Sequence, residues 1–161
     1  MTCVGGFEFP EDLYYLVEKH LWARPLGSGL WRIGLTPVAY HLLGDTLVAI
    51  TPRAGVRNVQ VEAGRSLAMV ESLKYVGPLG APFDGAVEAF NDLLAASPGA
   101  APADPYGAGW VVEMRAARPV DAAAHLLCGE PARRAYAALL HQQGISLPGA
   151  PGPTGAGAPD P

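Results

Sequence analysis

Between Val56 and Arg115 every apolar run is soon cut by glycine or proline, and this punctuation constrains the fold more than any other feature. Long helices need uninterrupted periodic stretches, whereas short apolar segments closed by turn residues build small antiparallel sandwiches or barrels. The pattern predicts strands at Val59 to Glu62, Ser66 to Glu71, Val76 with its flanks, Ala86 to Asn91 and Trp110 to Arg115. Between the last two, "AASPGAAPADPYGAG" reads as a long irregular loop.

The flanking regions carry their own signals. "FEFPEDLYYLVEKHLWARP" predicts one or two strands around a turn. Leu30 to Leu35 predicts a strand, followed by Thr36 as N-cap, Pro37 at the first helical position and a short helix stopped by Gly44. "TLVAITP" then predicts a buried strand. After Arg115 the apolar spacing turns helical, with Asp121 as a cap and a break at Gly129 and Pro131, which predicts helices after Val120. Residues 1–145 form one expected domain. Residues 146–161 are mostly glycine, proline and alanine with little to bury, and predict a disordered tail.

Half of the 161 residues are hydrophobic, which supports a real core. A formal charge of -4 argues against a general nucleic-acid or anionic-membrane binder, because both require clustered lysine and arginine. No apolar run approaches the roughly 20 residues that span a bilayer, and the start lacks a secretory pattern, so the expectation is a cytoplasmic protein with no membrane partner. Cys3 and Cys128 suggest neither a disulfide framework nor a zinc site. His20, His41, His125 and His141 fall into no ligand spacing, so no metal is expected.

One residue stands out within the sheet region. The chain has two lysines, Lys19 and Lys74, against nine arginines, and Lys74 lies between two predicted strands in "ESLKYVGPLGAPFDG". If those strands pair, Lys74 sits at the tip of a hairpin, where another protein can reach its amine. A solvated lysine at a turn is the ordinary explanation of such a residue. Against it stand the rarity of lysine and the arrangement of Glu71 three residues before Lys74 and Gly85 eleven residues after it.

Five blocks set these residues in a family frame. They are His20 and Trp22 as His-x-Trp; "IGLTPVAYHLLGD", Ile33 to Asp45; "MVESLK", Met69 to Lys74; "APFDGAVEAFNDLL", Ala81 to Leu94; and "DPYGAGWVVEM", Asp104 to Met114. In that order the chain resembles the glycine cleavage system H protein family from about Phe7 to the C-terminal helix. The resemblance implies a mostly β fold, the lipoyl/biotinyl-type barrel-sandwich hybrid, a flattened antiparallel β-barrel with a short internal helix and C-terminal helices. It implies lipoate in amide linkage on Lys74, with Glu71 and Gly85 recognised by a lipoate ligase or lipoyltransferase. It also implies a carrier rather than an enzyme, with no catalytic residue. Its partners would be a PLP-dependent glycine decarboxylase, an aminomethyltransferase and a dihydrolipoamide dehydrogenase. Biotin carriers place methionine on both sides of the lysine, and this chain has Leu73 and Tyr75.

The chain departs from the family just after the lysine, where "YVGPLG" replaces the usual "A-x-S-D-x-x". That segment, and the opening "GFEFPEDLYYLVEKHLWAR", resemble a branch of lipoate-binding proteins that serve a heterodisulfide-reductase-like system of sulfur oxidation. Tyr75 has two readings: an apolar plate on which the arm docks, or a ring packed against Phe83 across the hairpin. Two other classes remain. A hydrolase built on Ser72 and a folded-in histidine lacks the G-x-S-x-G elbow. A non-lipoylated interaction module would not need Glu71, Lys74 and Gly85 together.

Overall fold

The computed structural model describes residues 3–44 and 46–145. The predicted tail, residues 146–161, lies outside them. Twelve strands and four helices are described: β1 Cys3–Val4, β2 Phe7–Glu8, β3 Tyr14–Leu16, β4 Leu21–Gly27, β5 Leu30–Leu35, α1 Pro37–Leu43, β6 Leu47–Pro52, β7 Gln60–Val61, β8 Ser66–Ser72, β9 Val76–Gly80, β10 Gly85–Phe90, α2 Leu93–Ala96, α3 Ala100–Ala103, β11 Val112–Ala116, β12 Leu127–Cys128 and α4 Gly129–Gln143. A 3-10 turn, Val17–Lys19, separates β3 from β4.

Paired strands run antiparallel throughout. Seven strands form one sheet in the order β12-β3-β4-β5-β11-β10-β7, and three form a second in the order β6-β8-β9. The two sheets face each other across a core that takes Leu35, Val87 and Met114 from the large sheet and Ile50, Leu67, Val70 and Leu79 from the small one. Register shifts interrupt β4–β5, β6–β8, β8–β9 and β10–β11, and bends of this kind let short strands wrap a core. The result is the expected mostly β barrel-sandwich, flattened and not closed into one continuous barrel.

The large sheet is covered on both faces where β3 and β4 lie. Leu21 and Ala23 belong to the core between the sheets, while Trp22 points the other way into a second cluster. That cluster holds Phe7, Phe9, Tyr15 and Val38 beneath Tyr136 and Leu140 of α4. Side chains alternate across a strand, so a strand buried on both faces reads as continuously apolar. Trp22 is fully buried, and Gly34 on the neighbouring β5 lacks a side chain because a Cβ there would stand 2.6 Å from the indole.

The "DPYGAGW" segment clamps this region. Trp22 Nε1 donates to the Pro105 carbonyl at 2.9 Å, Tyr106 Oη to the Glu8 carbonyl at 2.6 Å, and Arg24 Nη1 to the Tyr106 carbonyl at 3.1 Å. Asp104 accepts from the Ala108 amide at 3.0 Å. These residues of the family pattern are structural fasteners.

Several boundaries differ from expectation. The segment after Asn91 is not an irregular loop, because α2 and α3 occupy part of it and bury Leu94 and Ala101. Asp121 caps no helix. It sits in a turn paired with Arg118, and among the described residues helical structure after Val120 is confined to α4. Gly129 and Pro131 do not break a helix but open one. Proline is tolerated in a first turn, where its missing N–H has no intrahelical acceptor to lose. Thr36 precedes α1 and Pro37 opens it, but the Thr36 hydroxyl makes no cap bond.

Candidate functional site

The β8–β9 hairpin turns through Leu73, Lys74 and Tyr75. Its register pairs Val70 with Gly77 and Glu71 with Val76, and the Ser72 amide donates to the Tyr75 carbonyl at 2.8 Å to close the turn. Ser72 is the organising side chain. It is buried, and its Oγ accepts from the Tyr75 amide at 3.1 Å and the Lys74 amide at 3.3 Å. A serine hydroxyl that bonds the following backbone in this way replaces solvent for amides that no strand partner reaches. The tip is also tied sideways, the Leu73 amide donating to the Thr46 carbonyl at 3.3 Å.

This turn leaves Lys74 exposed, with Leu73 at 76%, Tyr75 at 55% and Val76 at 59% exposure around it. The Lys74 chain lies across Gly44, the residue that ends α1. A Cβ at Gly44 would stand 2.9 Å from Lys74 Cε and 3.5 Å from Nζ. Gly44 also has φ +97°, which glycine adopts without strain. Its amide donates to the His41 carbonyl at 3.2 Å, so the lysine rests beside the carbonyl end of a helix, where a cation is favoured. Among the described residues no ion pair involves Lys74.

Tyr75, in the turn just before β9, extends forward along that strand. Its hydroxyl end lies over Gly77, where any Cβ would collide with it. The alternative packing against Phe83 is not formed, since Phe83 is buried beside Trp31 with ring centroids 5.6 Å apart. Tyr75 instead forms one wall of a cleft of about 300 Å³, shared with Leu42, Gly77, Pro78, Lys19 and His20. His20 takes φ +58° after the 3-10 turn, and its ring stacks on Tyr136 at 6.0 Å. Its Nδ1 is buried without a partner, and burial holds its pKa below the ordinary histidine value.

The sequence-predicted residues separate into two places. Glu71, Lys74 and Tyr75 share the hairpin, with Glu71 exposed on β8. Gly85 is buried in the large sheet between Val61 and Ala116, and a Cβ there would strike the Arg115 carbonyl. Its backbone position explains glycine without any partner protein. The sequence offered Ser72 only as the nucleophile of a hydrolase reading, not as the residue that builds the turn. Its signal was its place two residues before the lysine, at the end of an apolar strand.

The model of the family described as "Glycine cleavage H-protein" matches residues 13–138. A glycine cleavage system H protein 5 of Aquifex aeolicus is 35% identical over 149 residues, covering 90% of this chain and 98% of that protein. This chain belongs to the glycine cleavage H-protein family. The glycine cleavage system H protein of Mycobacterium avium is 41% identical over 117 residues, 73% of this chain and 83% of its own length. A crystal structure of the glycine cleavage system H protein from Mycobacterium marinum aligns with a TM-score of 0.65 at 30% identity, covering 85% of this chain and all of that one. In this family frame the matched segment includes the whole hairpin and both walls of the cleft.

Proposed function

We propose that the protein is a lipoyl carrier whose arm is joined in amide linkage to Lys74 Nζ. The observation that carries this reading is the built turn: a buried serine fixes the backbone of Lys74 while its amine stays exposed, in a chain that belongs to the H-protein family. The residues present fit the group, because the amine is open to an acylating enzyme and the neighbouring cleft offers Leu42, Tyr75 and Pro78 to an apolar chain. Bound there, lipoate would supply a dithiolane that cycles to a dithiol and carries a load between enzymes. The protein contributes position. Ser72 and Thr46 hold the root of the arm, and Glu71 and Gly85 are the expected recognition elements for a lipoate ligase or lipoyltransferase. Acylation also removes the charge that rests at the end of α1, which releases the arm from Gly44.

In the glycine cleavage role the partners are a PLP-dependent glycine decarboxylase, an aminomethyltransferase and a dihydrolipoamide dehydrogenase. A second reading, a carrier for a heterodisulfide-reductase-like system, is favoured by one observation: Tyr75 is seated over Gly77 in the segment where the sequence departs from the glycine-cleavage pattern. Expression with a lipoate ligase, followed by intact mass and peptide mapping, tests the carrier reading. The lipoyl mass should appear on Lys74 and vanish in Lys74→Arg, whose fold should be unchanged. A lipoyl mass that persists in Lys74→Arg assigns the modification to Lys19 and ends the proposal.

A further inference from the structure

One of the chain's two lysines lines the cleft and the other roots the hairpin beside it. Lys74 roots the proposed arm, its neighbour Tyr75 lines the cleft, and Lys19, exposed at the end of the 3-10 turn, lines it as well. The remaining lining is apolar or glycine apart from His20, whose burial favours its neutral form. Among the described residues that line the cleft, none carries a carboxylate, and no ion pair among the described residues involves Lys19. The cleft therefore carries one ammonium in a lining that is otherwise apolar or glycine apart from His20.

Charge decides what such a cleft can hold. A load bearing a basic nitrogen is cationic near neutral pH, and placing it beside Lys19 brings like charges together where no lining residue carries an acid to pair either one. A load ending in a carboxylate, a sulfonate or another oxyanion meets an ammonium instead, while its methylenes cover Leu42 and Tyr75. We infer that this cleft favours an arm whose load is anionic, and that Lys19 is the residue that reads the charge. The inference rests on the carrier reading of Lys74 and narrows it, because the aminomethyl load of glycine cleavage has the opposite sign.

Three synthetic arms of nearly equal size test it. In a Cys3→Ser, Cys128→Ser background, the lipoylated protein is reduced to the dithiol. Each thiolate then displaces iodide from iodoacetate or iodoacetamide, or bromide from bromoethylamine, giving anionic, neutral and cationic thioethers as the thiol protons pass to buffer. Backbone amide shifts of Leu42, Leu43 and Gly77, referenced to Lys74→Arg, report how far each arm occupies the cleft. The carboxymethyl arm should occupy it about fivefold more than the aminoethyl arm, the scale of a partly exposed ion pair. Lys19→Gln should level the two, and Lys19→Glu should reverse them. Equal shifts for all arms, or an order that survives Lys19→Glu, would overturn the inference with the carrier reading intact. Absence of lipoyl mass on Lys74, seen before any docking is measured, overturns both.

Discussion

Ser72 shows how much one buried hydroxyl decides at this site. Replacing it by alanine removes the acceptor for two amides at the root of the arm, and the expected loss is about 1–2 kcal/mol of stability, concentrated in the turn. Faster hydrogen exchange at Lys74 and Tyr75 than at Val70 in Ser72→Ala would locate the loss there. His20 makes a different demand. Burial lowers its pKa in the folded state, so the unfolded chain binds the proton more readily. Its contribution to stability is therefore complete above the unfolded value of about 6.5 and is lost as pH falls from there through the folded pKa. His20→Asn, which accepts the left-handed backbone, should flatten this part of the profile below about pH 6.5 in thermal melts. The exposed place of Lys74 at a hairpin tip, with Glu71 on the strand before it, was legible in the sequence because the strand and turn signals around it are local. Ser72 was not, because its role depends on which way a strand end turns its side chain.

At the scale of elements, boundaries set by local chemistry were read correctly and those set by pairing were not. β5 and α1 fall where the sequence placed them, since Pro37 and Gly44 impose backbone angles on their own. β7 falls inside the predicted strand Val59 to Glu62, whereas β1 and β12 are two residues long and exist only through their partners, so no periodicity could announce them. Pro131 misled for a related reason, because the same residue that breaks a helix interior suits a first turn. Gly85 gives a prediction at this scale. A methyl group there meets the β11 backbone, which cannot swing aside as a side chain can. Gly85→Ala should cost about 1–3 kcal/mol in urea unfolding, by separating β10 from β11. An unchanged midpoint with lost lipoylation would instead mean that Gly85 acts only through enzyme recognition.

Across the whole molecule, the large sheet separates two packing problems. One face closes against the small sheet that presents Lys74, and the other accepts α4 through Tyr136, which stacks on Phe9 at 4.2 Å. Tyr136→Ala should therefore cost about 3–5 kcal/mol, by analogy with other buried aromatics, while lipoylation of Lys74 continues below the lowered melting temperature. Loss of modification in a protein still folded by circular dichroism would show that the two faces are coupled. The sheet-on-sheet plan was legible from the glycine and proline punctuation. The two-sided burial of β4 was not, because a continuous apolar run does not say what covers each face.

The small sheet ends at β9, and β9 carries Pro78 three residues beyond Tyr75. An outer strand normally invites a visiting chain to anneal along its free amides, and proline withholds one of them. On the carrier reading proposed above, this would limit how long any enzyme's visit lasts. Such partners would grip side chains around the lysine rather than extend the sheet, and contacts of that kind part quickly. Replacing Pro78 with valine should then lengthen the lifetime of partner complexes, with the effect falling on dissociation rather than association.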